Sequence, residues 1–357
     1  MTPLNSVLQS ICIVRLSALG DVLMLVPLVR TLQQHFPTAT ITWVISKPAY
    51  DLVADLDGVE FILIDKPNSV QDYWRFYQCM RGRRFDVLLA TQACLRANIL
   101  YACIRAIRKI GYDKIRAKDL HPWFIHEMIQ PGHDHTLDGF LKFASHLGIT
   151  SHEVRWDLPI AEKDTAWALA HIPEGSGPLL LVNPAASKPE RAWLPERYIE
   201  VILYAQKRWQ ARVVLTGGPG ADDQRLGALI SAAAPVVNLI GKSKPKQLLA
   251  LIRAADVLLC PDTGPSHMGA AVGTPVLALH AVTSAAVSGP YPFRHLAVDY
   301  YPEAMVSVLG KTEATNVWGT HAHGAETMAL IPTDIVKRRL DEILENGRAC
   351  AHGFVVS

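Results

Sequence analysis

The sequence predicts an α/β protein made of two doubly wound domains. Three observations carry this. Short β-branched or aliphatic runs alternate with stretches whose apolar residues recur at helical spacing, the pattern of a parallel sheet with crossover helices. The alternation stops and restarts once, around the Pro- and Gly-containing polar stretch "HIPEGSGP" at residues 171–178. The 357 residues are too many for one ordinary core and comfortable for two.

In the first half, "SICIVRL" reads as a strand and "SALGDVLMLVPLVRTLQQHFP" as the helix after it. "ATITWVIS", "FILID" and "FDVLLAT" are further strands with helical patterns between them. In the second half, "GPLLLVNPAAS", "ARVVLTGGP", "VVNLIG", "DVLLCPD" and "PVLALHA" read as strands. Between them lie the helical runs "PERYIEVILYAQKRW", "ADDQRLGALISAAA", "PKQLLALIRAA" and "GPSHMGAAVG". A final helix has Pro332 near its start and Gly347 at its end. The expected division is residues 1–171, residues 178–330 and a terminal helix at 331–347. In open sheets of this kind, ligands bind beyond the carboxyl ends of the strands.

Composition narrows the function classes. Half the residues are hydrophobic and 19% are charged, as in an ordinary globular protein. A net charge of +2 gives no general affinity for polyanions, and no aromatic and basic pattern of an RNA reader is present, so nucleic acid is not expected as a partner. No apolar run approaches the ~18 residues needed to span a bilayer, and the N-terminus lacks the charged region of a signal peptide. Cys12, Cys79, Cys94, Cys103, Cys260 and Cys350 are scattered without a CxxC, which suits thiols in a reducing cytoplasm.

Six stretches carry candidate chemistry. In "RLSALGD", Gly20 loosens a strand-to-helix turn and Asp21 falls in the first helical turn, where the helix dipole favours a carboxylate. It is either an ordinary helix-start carboxylate or a general base at the mouth of a cleft. GxGxxG is absent here, which disfavours a nicotinamide cofactor. In "PDTGPSHMGAA", Thr263 and Gly264 offer amides at a helix start, with Asp262, Ser266 and His267 beside them: an anion site, or a well-capped helix. In "NPAASKPERAWLPERY", Lys188 and Arg191 stand beside another helix start. Two helix starts and two cations on one edge suit a diphosphate, although solvation is the favoured fate of Lys188. In "LTGGPGADD", Gly217 and Gly218 permit close approach of a ligand or merely a turn; Asp222 or Asp223 could meet a ribose or cap the next helix. Residues 81–118 hold ten Lys/Arg against two Asp, read as a solvated helix face or a landing surface for an acidic acceptor or anionic lipid. Lastly, "HPWFIHEMIQPGHDH" gathers His121, His126, His133 and His135 with Glu127 and Asp134, but its spacing is not HExxH, so a polar loop is favoured and no metal is expected.

Taken in order, "IVRLSALGDVLMLVPLVRTLQQHFP", "RAWLPERY", "VVLTGGP", "VNLIGKSKPKQLLALIRAADVLL", "DTGPSHMGAAVGTPVLAL" and "TMALIP" resemble glycosyltransferase family 9, the bacterial heptosyltransferases of lipopolysaccharide core assembly. The resemblance covers nearly the whole chain. It implies a GT-B fold, two Rossmann-like domains facing across a cleft, with the terminal helix packed back across them. It implies inverting, metal-independent transfer of heptose from ADP-heptose to a Kdo or heptose hydroxyl of the lipid A core, without a cofactor. Asp21 matches the family's proposed base. Asp262, Thr263, Gly264 and His267 match its donor motif, and Arg191 stands where a phosphate-binding lysine is usual. Lys188 and Gly218 complete the expected donor side; Gln92 and Arg96 in "TQACLRA" resemble an acceptor-side element. A cytoplasmic enzyme in peripheral contact with the inner membrane follows from a lipid-linked acceptor. "LALHAVTSAAVSGPY" departs from the family's "LFGPT"-like loop, which shapes the nucleotide or sugar pocket. The competing readings are a transferase or 2-epimerase using a UDP-sugar, and a non-catalytic nucleotide-sugar-binding protein.

Overall fold

A computed structural model describes residues 8–347; Cys350 lies outside them. The chain forms two compact units that meet in sequence at Pro159 and Ile160. The first contains strands β1 (Ser10–Val14), β2 (Thr40–Ile45), β3 (Val59–Leu63), β4 (Phe85–Ala90), β5 (Ala106–Gly111) and β6 (Glu127–Met128). They form one parallel sheet in the order β3-β2-β1-β4-β5-β6. The second contains β7 (Leu179–Val182), β8 (Arg212–Leu215), β9 (Val237–Asn238), β10 (Val257–Pro261), β11 (Val276–His280) and β12 (Val298–Asp299). Its order, β12-β11-β10-β7-β8-β9, is again fully parallel. Both sheets are doubly wound, as the alternation predicts. Central strands covered by helices on both faces must be apolar along their length, and Ile11–Val14 and Val257–Cys260 are indeed buried throughout.

The strand order fixes where sites can form. In each sheet the winding reverses once, between β1 and β4 in the first and between β7 and β10 in the second. Loops leaving the carboxyl ends of those four strands diverge and leave a crevice. Asp21 follows β1, Gln92 follows β4, Lys188 and Arg191 follow β7, and Asp262 to His267 follow β10.

The unit boundary falls before the expected 171–178 because helix Glu162–Ala170 packs on helix Pro245–Ala254 of the second unit, where Arg253 donates to Thr165 Oγ1 (3.1 Å). The terminal helix Thr333–Asn346 packs on helix Pro195–Trp209 of its own unit. Val336, Leu340 and Ile343 supply its buried face, and Asp341 accepts from Tyr204 Oη (2.5 Å) and Trp209 Nε1 (2.7 Å).

The basic stretch at residues 81–118 is not one helix face. It contains strand β5, and several of its charges are spent internally. Arg83 pairs with Glu60 and Arg116 with Asp113, while Lys109 Nζ donates to Tyr101 O. Arg108 meets Glu127 on β6 through two bonds of 2.7 Å, Nε to Oε1 and Nη2 to Oε2. This fork, with His146, pulls the Glu127 carboxyl down to about 2 from 4.5. A depressed carboxylate stabilises the folded state above its unfolded pKa and loses that contribution as pH falls through its folded one. Glu127→Gln is therefore expected to cost about 1–2 kcal/mol near neutrality, after discounting for partial exposure. The gap from wild type in urea unfolding should close between pH 4.5 and about 2. A gap that stays constant with pH would assign the loss to packing instead.

Candidate active site

The first half-site starts at the end of β1. Helix Leu19–His35 begins at Ala18, which places Asp21 in its first turn. The Oδ2 atom of Asp21 accepts from Ala18 N–H (3.2 Å) and is ion-paired with Arg15. Arg15 is itself held by Thr91 O (2.7 Å) and lies over the Phe140 ring. Burial acts to lower its pKa, but the Asp21 carboxylate, Tyr112 and Tyr101 together outweigh this and the guanidinium is held above its ordinary value. Asp21 thus has one anchored oxygen and one, Oδ1, with no hydrogen-bond partner among the described residues.

Gln92 links the two strands beside the crevice, accepting from Leu16 N–H (2.9 Å) at Oε1. With Arg96, Leu16, Ser17, Lys66 and Asp119 it lines a cavity of about 320 Å³. The loop that precedes Asp21 therefore also forms one wall of this cavity.

The second half-site is built around Asp262. Its Oδ2 accepts from Thr283 Oγ1 (2.7 Å), Arg191 Nη1 (3.3 Å) and Ser288 Oγ (3.4 Å). Burial would raise this carboxyl, yet His280, His267, the Thr283 hydroxyl and Arg191 together hold it below its usual value, so it stays ionised. Thr263 is the residue at which helix Gly264–Val272 starts, and no side chain caps that start. In that first turn Pro265 has no N–H and Ser266 N–H donates to Thr263 O (3.0 Å), so the Gly264 amide is the one open to an anion; capping by Asp262 or Ser266 does not occur, since Asp262 is engaged elsewhere and Ser266 Oγ donates to Thr263 O (2.7 Å). His267 is buried in that first turn.

Arg191 ends a single 3₁₀ turn, Pro189–Arg191, with Lys188 exposed just before it. The loop is pinned from behind. Trp193 Nε1 donates to Ile331 O (3.2 Å), and Arg197 Nη1 donates to Ala329 O (2.7 Å) and to Ile331 O. The "RAWLPER" and "TMALIP" segments are thus two sides of one contact. Gly218 is exposed and used as a turn: its amide donates to Asp223 Oδ1 (2.7 Å). Asp222 is exposed and pairs with Arg225.

Several neighbours of these residues carry no local sequence signal. His321 Nδ1 lies 3.4 Å from Arg191 Nη2, and burial followed by Arg191 pushes its pKa down. His323 meets Glu190 Oε1 at 2.6 Å. His280 is fully buried at the end of β11, with Nδ1 3.4 Å from Thr283 Oγ1.

The His121–His135 stretch is structural. His121 Nε2 accepts from Tyr112 N–H (3.0 Å), so Nδ1 carries the proton toward Asn98 Oδ1 (2.7 Å). Burial lowers this ring to about 4, keeping it neutral. Gly111 is needed there, since a Cβ would come within 2.4 Å of His121 Nε2. His135 accepts from Leu137 N–H at a helix start, and Asp134 pairs with Arg116 and Lys142. His126 and His133 are exposed. Among the described residues, no three His, Cys, Asp or Glu are grouped to hold a metal ion.

Two doubly wound parallel sheets, one bearing a helix-start carboxylate and the other an anion-ready helix start with an arginine, have the architecture of the GT-B glycosyltransferases. The model of glycosyltransferase family 9 (heptosyltransferase) matches residues 73–311. The lipopolysaccharide core heptosyltransferase OpsX of Haemophilus influenzae is 32% identical over 92% of this chain and 95% of its own length. The chain therefore belongs to glycosyltransferase family 9, and it is an enzyme of glycosyl transfer. The fold is shared with the family 9 glycosyltransferase of Veillonella parvula (TM-score 0.77, 20% identity, 95% of this chain and 97% of that one). It is also shared with the Escherichia coli ADP-heptose lps heptosyltransferase II (TM-score 0.70, 19% identity, 95% and 99%).

Proposed function

We propose that this enzyme transfers heptose from ADP-heptose to a Kdo or heptose hydroxyl of the lipopolysaccharide inner core, with inversion at the anomeric carbon. The observation that carries this reading is the donor half-site: the uncapped helix start at Thr263 and Gly264, with Arg191 fixed beside it by Asp262. Amides and a guanidinium are the groups that hold a departing diphosphate. The similarity to a lipopolysaccharide core heptosyltransferase over nearly the full chain supports heptose as the sugar.

In the proposed step, the acceptor oxygen forms a bond to the anomeric carbon as the bond from that carbon to the diphosphate oxygen breaks. Asp21 Oδ1 takes the hydroxyl proton, and ADP leaves with the electron pair of the broken bond. Arg191 and the amides of Thr263 and Gly264 stabilise its growing charge; His267 and Lys188 flank the same anion. Gln92 and Arg96 place the acceptor in the cavity that they line. A lipid-linked acceptor also brings the enzyme to the cytoplasmic face of the inner membrane.

The test is incubation with ADP-heptose and Kdo-lipid A or heptosylated acceptors, following ADP release, product mass and the anomeric configuration of the new linkage. A heptose-mass increase with the opposite anomer is expected. Retention of the anomer would overturn the mechanism. Turnover with UDP-sugars alone would favour the UDP-sugar transferase or epimerase, and donor binding without any turnover would favour a binding protein.

A further inference from the structure

The first unit shows apolar side chains to solvent in a pattern that neither its core nor its acceptor cavity uses. Helix Val70–Met80 buries Phe76 and Met80, as an amphipathic crossover helix should. It has a second stripe, Val70, Trp74 and Tyr77, at spacings of four and three, which lie along one flank. Val70 is 86% exposed and Trp74 60%. Tyr73, between this stripe and the core, is within electrostatic reach of Arg96 on helix Leu95–Cys103, so the stripe borders that neighbouring helix. The start of Leu95–Cys103 adds exposed Leu95, and Leu95 N–H donates to Asp119 Oδ2 (3.0 Å). Asn98 Nδ2 holds Lys118 O and Asp119 O, which ties the following loop to the same helix. That loop exposes Leu120 and, at 80%, Trp123.

The charges around these residues have one sign. From residue 70 to 124 there are eleven Lys/Arg, four Asp and no Glu. All four aspartates are engaged: Asp72 with Asn68 and Ser69 amides, Asp86 with Gln9 and Ser10 amides, Asp113 with Arg116, and Asp119 with Leu95. Arg81 continues the exposed stripe, and Arg96 and Lys118 stand beside Leu95 and Leu120. Tryptophans and a tyrosine set among arginines and lysines match the interfacial region of an anionic bilayer, where apolar rings enter the headgroup layer and cations meet lipid phosphates.

We propose that this surface, the Val70–Trp74–Tyr77 flank together with the Leu95–Leu120–Trp123 rim, seats the enzyme on an anionic membrane. Leu95 and Arg96 also line the acceptor-side cavity, so the seat is continuous with the cavity mouth. The meaning of that continuity rests on the lipid-linked acceptor proposed above; adsorption to lipid does not.

The experiment is co-sedimentation of the full chain with vesicles of phosphatidylcholine alone or with about one-third phosphatidylglycerol, at low and high salt. These vesicles contain no sugar acceptor, so a failed heptose assay leaves the result intact. Wild type is expected on the mixed vesicles at low salt and not on phosphatidylcholine. Trp74→Ala/Trp123→Ala should reduce partitioning at least about ten-fold, and Arg81→Gln/Lys118→Gln should reduce it and flatten its salt dependence. Circular dichroism checks folding, and Trp123→Ala alone, at the most exposed tryptophan, should still weaken binding. Wild type that stays in the supernatant overturns the proposal and leaves the face to a protein partner. Tryptophan variants that bind like wild type overturn the surface assigned.

Discussion

Asp21→Asn is expected to lower the rate of transfer by about 10²–10⁴-fold while donor affinity stays within about three-fold of wild type. The geometry makes the substitution a clean one. Oδ2 is the anchored oxygen, held by Arg15 and by Ala18 N–H. An asparagine can keep its carbonyl oxygen there and place its amide nitrogen where Oδ1 stands. That preserves the start of helix Leu19–His35 and removes the atom able to accept a proton, together with the charge that pairs with Arg15. If Asp21 merely complements the helix dipole, the loss would instead be about 0.3–1 kcal/mol of stability, with turnover unchanged. The two roles separate in one pair of measurements: kcat with both substrates saturating, and the urea midpoint. A variant with full kcat and a lowered midpoint would remove Asp21 from the chemistry. Arg15 also explains how a carboxylate can stay aimed in the crevice, since its guanidinium is fixed to Thr91 and Phe140.

The fold was legible because both sheets are buried on both faces. Runs such as "SICIV" and "VLLCP" must then be continuously apolar, and the alternation with helices dictates the winding. The winding in turn places Asp21, Gln92, Arg191 and Asp262 after strand ends, so the stretches holding Asp21, Arg191 and Asp262 could be found from position, whereas Gln92 was found only through the family resemblance. Strand β5 was hidden because Arg108 and Lys109 gave it the look of a charged helix. Arg108 is answered by Glu127, nineteen residues away, and Lys109 by a backbone carbonyl. The partners of the site residues were hidden for a similar reason. Arg15 reaches Asp21 across a turn whose spacing follows neither the helical nor the strand period. Thr283 and His280 lie in the stretch that departs from the family pattern, yet they hold or face Asp262 only through the pairing of β10 with β11. His321 meets Arg191 from a segment with no recognisable motif. Position along a strand can be read locally; the company a side chain keeps depends on which distant loop the sheet brings beside it.

Arg191→Ala should weaken donor binding by about 10²-fold or more, whereas Arg191→Lys should recover it to within about ten-fold. In this structure Nη1 is on Asp262 and Nη2 near His321, while Nε is buried without a hydrogen-bond partner. A guanidinium held in this way keeps unused donor capacity and little freedom, which is what a phosphate site needs. Loss of two charge-assisted bonds to a diphosphate, at about 1.5–3 kcal/mol each, sets the size of the alanine effect. Lysine restores the charge as a point and loses the fork, so part of the deficit remains. Removing Arg191 also takes away a cation that, after burial, depresses His321; the His321 ring should titrate closer to its ordinary range in the alanine variant, as seen by NMR. Asp262 keeps Thr283 and Ser288, so the second unit should still fold. Calorimetry with ADP-heptose and ADP decides the case. Wild-type affinity in the alanine variant, together with a shifted His321, would mean that Arg191 serves only to neutralise Asp262, and the anion would then have to be held by the helix start alone.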